Sequence, residues 1–339
     1  MSESVKLADL VETLQRLAPG RVPGVGETPD PEKHPWVVWK SSGIPGKAVM
    51  EIPGLVYGDP KKPIRRLGIG LTLTEGILEL AGHQGLDAVL VHHPVADAAS
   101  SGGVLLKDYC ELYNLAILEL HEAFHGIHAG RAILYGLKML AWKDNYGGLT
   151  TPGFSVRICE PSEPGMTLGD LVRRTSEFFE QEHEIGMLEH EKERFGYRKI
   201  DGAAMFSGRI LHGTPDRKIT KLLHCSPYSG LAPDHLELAV KEYPDLDTVF
   251  LTFSLLSPEH YLVEAARRLD LAVVIGSCHE WEIYENCLPL AQAIKDLLPS
   301  LEITLFRSRL SAIPLEEVGN SFAREYARRI ASDLKAKSG

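Results

Sequence analysis

Residues 66–94 read RLGIGLTLTEGILELAGHQGLDAVLVHHP. An apolar, strand-like run ends at Leu73, and Thr74 then stands before Glu75 as an N-cap residue for a helix that runs to Gln84. Residues 87–93 form a second apolar run, and Pro94 closes it. Strand, helix and strand in that order are a βαβ unit, so the chain is expected to be an α/β protein.

The pattern continues on both sides. Before it, Leu7, Leu10, Val11, Leu14 and Leu17 recur at helical spacing and stop at Pro19-Gly20. Between Val22 and about Gly54 the text is rich in proline and glycine, which predicts a long irregular surface excursion. After it come a predicted helix from Gly103 to Tyr113 and a buried strand from Leu115 to Leu120, with His121 at the strand end. The stretch GRAILYGLKMLAW reads as helical, and DNYGGLTTPGF marks a boundary near residue 148. Residues 167–195 read as a charged, solvated helix or helix pair. Strands at 219–226, 247–253 and 271–277 alternate with helices at 233–242 and 258–269, so the second half echoes the first.

This predicts an α/β domain over residues 1–148, a second over 149–313, and a helical tail over 314–339. In the tail, Leu315, Val318, Phe322, Tyr326, Ile330 and Leu334 repeat every three or four residues, which predicts an amphipathic helix packed on its own or a neighbouring subunit.

Composition narrows the function. The 339 residues are 44% hydrophobic and 24% charged, an ordinary globular mixture, and the formal charge of -10 comes with no basic stripe. Nucleic acid is not an expected partner. The amino terminus lacks a secretory pattern and no run of apolar residues is long enough to span a bilayer, so no membrane association and a cytoplasmic location are expected. The five cysteines are scattered and unpaired in pattern, which argues against disulfides and zinc knots; only Cys278, beside His279, stands near candidate chemistry.

Three stretches carry that chemistry. His92 and His93 can serve one site if the strand ends there, as Pro94 suggests. His121 and His125 lie in HEAFH, the spacing of a zincin with Glu122 as base, but the preceding NLAILEL is strand-like and a zincin motif needs a helix. His279 and Glu282, in SCHEWE, share one face if a helix begins there, with Glu280 and Glu285 also near. Each cluster alone reads equally as surface or core residues. Together, nitrogen and oxygen donors at three strand ends suit zinc, iron, manganese or nickel.

With these residues the chain resembles the NGG-one-interacting-factor-three family, dinuclear-metal-centre proteins often described in bacteria as GTP cyclohydrolase type-two homologues. The resemblance runs from about Val5 to Phe306: GLVYGDP at 54–60, the Thr-Glu helix followed by HHP, LHEAFH, and SCHEWE each look like a family segment. His125 stands where the family usually has aspartate, Glu282 matches after a one-residue shortening, and Glu51 is what EIPGLVYGDP offers in place of an early Trp-Asp. The chain resembles a divergent member. The resemblance implies two α/β domains with two divalent metal ions in the cleft between them, a homohexamer, and a small-molecule substrate such as a nucleotide.

The expected ligands are then His92, His93, His121, His125, His279 and Glu282, with Glu122 and Glu280 as proton-transfer or supporting groups. The function expected is a metal-dependent hydrolase of GTP cyclohydrolase-like kind. The alternatives are a non-catalytic metal-binding, metal-delivery or scaffold protein and, with least support, a zinc protease.

Overall fold

The computed structural model describes residues 4–27, 29–41, 44–46, 48–95, 105–125, 127, 130–144, 146, 155–206, 208–226, 230–252 and 256–336. The expected boundary near 148 and the start of the helix expected from Gly103 lie outside the described residues.

The chain opens with α1 (Leu7–Leu17), whose Leu7, Leu10, Val11 and Leu14 face inward. The excursion that follows is less irregular than its prolines and glycines predict: β1 (Val38–Ser41) and β2 (Ala48–Glu51) pair as an antiparallel hairpin, and β3 (Gly54–Tyr57) joins a sheet. Then β4 (Arg66–Gly70), α2 (Glu75–Gln84), β5 (Ala88–Val91), α3 (Leu106–Tyr113) and β6 (Ala116–Glu119) realise the expected alternation. Thr74 caps α2 by accepting the Ile77 N–H at 3.2 Å, and Gly85 ends it in the left-handed region at φ 64°.

Next, α4 (Gly130–Leu134) is a single short turn and β7 (Leu137–Asp144) is a strand, which corrects the helical reading of GRAILYGLKMLAW. Gly136 at φ 73° stops the helix, and pairing with β8 (Ser155–Pro161) then overrides the helical preference of Leu, Lys and Met. The charged stretch forms α5 (Leu168–Phe178) and α6 (Gln181–Phe195). After the short β9 (Asp201–Gly202) and β10 (Arg209–His212) come β11 (Lys221–Cys225), α7 (Pro233–Glu242), β12 (Leu246–Leu251), α8 (Tyr261–Arg268) and β13 (Ala272–Ile275). The chain ends with α9 (Leu288–Leu297), β14 (Glu302–Leu305), β15 (Ser311–Ala312) and α10 (Ser321–Ala336).

Two sheets organise these elements. In the five-stranded sheet the order is β14-β4-β5-β6-β3, parallel except for β3; in the six-stranded sheet it is β10-β13-β12-β11-β8-β7, with β11, β12 and β13 parallel. The first sheet therefore draws strands from before residue 120 and one from after residue 300. Each sheet is covered on both faces. Residues of α1 and α9 pack on one side of the first sheet and α2 and α3 on the other. On the second sheet α7 and α8 pack on one side, and Ala132, Tyr135, Leu168 and Leu171 on the other. Such strands have no solvent face, which is why β5, β6 and β13 read as unbroken apolar runs rather than alternating ones.

The tail is helical only over Ser321–Ala336, with Leu315 and Val318 in the non-helical stretch before it, and its apolar face does not pack on its own chain: Phe322 is 79% and Ile330 39% exposed. No described helix is long and apolar enough to cross a membrane.

Candidate metal centre

The parallel strands of the first sheet deliver four histidines to one place. Beyond Val91, the His92 and His93 N–H groups still donate to the Gly70 and Leu71 carbonyls at 3.0 and 2.7 Å, carrying both imidazoles to the carboxyl end of β5. One strand over, β6 ends at Glu119, and the chain turns tightly through His121 to His125, with the His125 N–H directed to the His121 carbonyl at 3.3 Å. This segment is a turn and not a helix, so HEAFH does not have zincin geometry. Its two histidines nonetheless converge, with ring centroids 4.7 Å apart.

The fifth imidazole comes from the second sheet. After β13, residues 279–281 form a 3₁₀ turn that passes into a π-helical turn over 283–287, a local form frequent at functional sites. The same turn supplies His279, Glu282 and Asn286. Glu282 is the junction of the cluster, with a side chain only 3% exposed. Its Oε1 lies 3.5 Å from His92 Nε2 and 3.7 Å from His125 Nε2, while Oε2 lies 3.4 Å from His93 Nε2 and 2.6 Å from His279 Nε2. Two sets of potential ligands result, His92 with His121 and His125, and His93 with His279 and Glu282; within each, ligand atoms lie no more than 4.8 Å apart.

These separations fit shared ions. Two donors bound to one tetrahedral ion at about 2.0–2.1 Å each lie roughly 3.3 Å apart. His92 Nε2 and His125 Nε2 are 3.2 Å apart, and His93 Nε2 and Glu282 Oε2 are 3.4 Å apart.

Outer groups fix which nitrogen faces inward. His92 Nδ1–H donates to the Leu120 carbonyl at 2.9 Å, which leaves the Nε2 lone pair to the cluster, where Asn286 Nδ2 donates to it at 3.0 Å. His125 Nδ1–H donates to Glu122 at 3.1 Å, the carboxylate–histidine pairing that orients metal ligands. Asn286 Nδ2 also donates to Glu282 Oε1 at 2.8 Å. Burial holds His92 well below its ordinary value of 6.5, to about 4, with Glu282 partly opposing the shift, so this imidazole is neutral and ligand-ready at neutral pH.

Exposure is graded across the cluster, from 1% for the His92 side chain through 14% for His121 and His125 to 47% for His279. Solvent therefore reaches it from the His279 side.

Three features were not among the expected site residues. Glu51, buried at the end of β2, accepts the Glu122 N–H at 2.7 Å and brings Oε2 within 3.5 Å of His121 Nδ1, so Glu51, His121 and Glu122 form a further group with ligand spacing. The signal for it was its position before the GLVYGDP segment. Buried Glu119 accepts the Ile52 and Val95 N–H groups and ties together the segments that carry Glu51 and His93. Asn286 carried no sequence signal. Two expected residues lie apart from the cluster: Glu280 lines a separate cavity behind the turn, and Cys278 directs its thiol to the Ala203 carbonyl at 3.6 Å. Glu285 is held by the Tyr135 hydroxyl.

No family model matches the chain, and no curated protein matches it. Solved structures do. Reduced HcgD from Methanocaldococcus jannaschii matches with a TM-score of 0.55 at 17% identity, covering 90% of this chain and 99% of that one. A Bacillus cereus protein related to NIF3 matches with a TM-score of 0.55 at 13% identity, covering 93% and 99%. The hypothetical protein SA1388 of Staphylococcus aureus matches with a TM-score of 0.53 at 13% identity, covering 90% and 97%. The class defined is an α/β protein with buried histidine and glutamate groups suited to metal. Its fold is that of the NIF3-related proteins, which is the fold the sequence resemblance implied.

Proposed function

We propose that this chain is a divergent member of the NIF3-like family that holds two divalent ions and uses them as a metal-dependent hydrolase of a small molecule, a nucleotide by resemblance. The observation that carries the reading is the Glu282 carboxylate, which turns one oxygen to each histidine set. A carboxylate so placed can bridge two ions.

When bound, paired ions supply polarisation of a substrate oxygen and a water-derived nucleophile near neutral pH. The residues supply the rest. His92 stays neutral because it is buried, Glu122 fixes the tautomer of His125, and Glu51 holds the backbone of the 121–125 turn. Imidazole and carboxylate donors without thiolate favour zinc, iron, manganese or nickel. The His279 side is the route by which a substrate reaches the cluster. The same reading takes the chain to be one copy of a homohexamer, as the resemblance implies.

The half-exposed His279 also favours a second reading, in which the site gives up an ion to an acceptor and catalyses nothing. One experiment separates the two. Protein loaded in turn with zinc, iron, manganese and nickel is incubated with GTP and with other nucleoside triphosphates. Metal-dependent product release with ions retained supports the hydrolase; no product from any nucleotide, with ions lost to an added acceptor, supports the second reading.

A further inference from the structure

Behind the turn that carries His279 and Glu282 lies a cavity of about 400 Å³, walled by Trp281 and Tyr284, by α6, and by residues 307–311. Large apolar side chains stand exposed around its mouth: Met187 is 41% exposed, Phe195 65% and Leu310 63%. Among the described residues, a second exposed apolar surface is the stripe on α10, where Phe322 is 79%, Tyr326 62% and Ile330 39% exposed. Exposed apolar patches of this kind mark interaction sites.

We propose that α10 of one copy docks over the cavity and α6 of a second copy of this chain, with Phe322 and Tyr326 as anchors. Charge selects this pairing. The α10 sequence carries four basic residues against two acidic ones, and α6 carries two basic against five acidic, of which Glu184 is buried and paired with Arg307 and Arg309. Two α10 helices would repel each other, whereas α10 on α6 brings opposite signs together and fixes register. Lengths also agree, since helices of 16 and 15 residues both span roughly 23 Å.

Docking in trans is favoured because the chain's own α10 leaves its cavity uncovered. The connection runs through β15 at the cavity wall, and beyond it Glu317 accepts the Arg198 N–H at 2.6 Å. The tail also lies beyond Phe306, where the sequence resemblance ends. The contact does not rest on the metal-centre reading.

The test uses the full chain. Sedimentation velocity across a dilution series gives the assembly constant for wild type, Phe322→Asp with Tyr326→Asp, Met187→Asp, Arg328→Glu, and Arg328→Glu with Glu191→Arg. Cross-linking of mixed light and ¹⁵N-labelled protein then shows which helices touch and between which copies. The tail pair and Met187→Asp should each weaken assembly by about tenfold or more. The charge exchange should recover most of what Arg328→Glu loses, and α10–α6 cross-links should join light to heavy chains. The proposal is overturned if the tail variants act and Met187→Asp does not, if cross-links stay within one chain, or if α10 binds phosphatidylserine vesicles while assembly ignores every variant.

Discussion

The Nε2 atoms of His92 and His125 lie 3.2 Å apart, each turned inward because its Nδ1–H is committed elsewhere, to the Leu120 carbonyl and to Glu122. Two imidazoles that face each other through Nε2 at this separation can share one ion. The arrangement is that of two ligands set for one ion.

His125→Ala should therefore lower the bound metal from two ions per chain towards one and leave the other group filled. His125→Asp, which puts a carboxylate at this position, should keep both ions and shift preference towards manganese, since an oxygen donor is harder than imidazole. Elemental analysis of each variant after dialysis against mixed metals checks both. Unchanged metal content in both variants would remove His125 from the ligand set.

Glu122 acts through His125, so Glu122→Gln should weaken metal binding by about 10–100-fold while leaving the fold intact. Competition with a chelator of known affinity measures the loss, and circular dichroism checks the fold. An affinity equal to wild type would mean that the 3.1 Å contact to His125 does not matter for the ligand.

The buried His92 makes stability depend on pH in a defined direction. Its folded value of about 4 lies below its ordinary 6.5, so at acid pH the unfolded chain binds a proton that the folded chain resists. Metal-free protein should be most stable above about pH 6.5 and lose up to about 3 kcal/mol by about pH 4, with no further loss from this group below that. Urea unfolding of chelator-treated protein across this range, compared with His92→Gln, measures it. A His92→Gln profile as steep as wild type would assign the loss to other groups.

Tyr135, fully buried beneath the second sheet, donates its hydroxyl to Glu285 in the turn that carries Glu282 and Asn286. Tyr135→Phe should cost about 1–3 kcal/mol, because it takes a hydrogen bond from a buried carboxylate. It should also loosen metal binding by the Glu282 turn, although Tyr135 is no ligand. Stability measured with and without metal separates the two effects.

Much of this was legible in the sequence. Strands buried on both faces and a helix capped by Thr74 are local signals, so the 66–94 unit and the helix at 233–242 stand where the residues place them. What failed depended on distant partners. Leu137–Asp144 is rich in helix formers and became a strand only through pairing with β8. The β1–β2 hairpin sat inside text dominated by turn residues, and β14 reaches its place only by crossing back to pair with β4. At the site, the histidines announced themselves by lying at strand ends. Asn286, one turn beyond Glu282, did not, and Glu51 on the hairpin was marked only by its position before GLVYGDP. HEAFH has the zincin spacing without the helix, as the strand-like NLAILEL before it indicates, and a turn brings its two histidines together.

The account turns on Glu282, and Glu282→Gln tests it most directly. The amide keeps the side chain's size and one acceptor oxygen but removes the charge that faces both histidine sets. Metal content of wild type and variant, purified without chelator and read by elemental analysis, should fall from two ions per chain to fewer than one, because both positions lose the same bridging group. Two ions retained by Glu282→Gln with wild-type affinity, or a single ion in wild type, would contradict a centre built across this carboxylate.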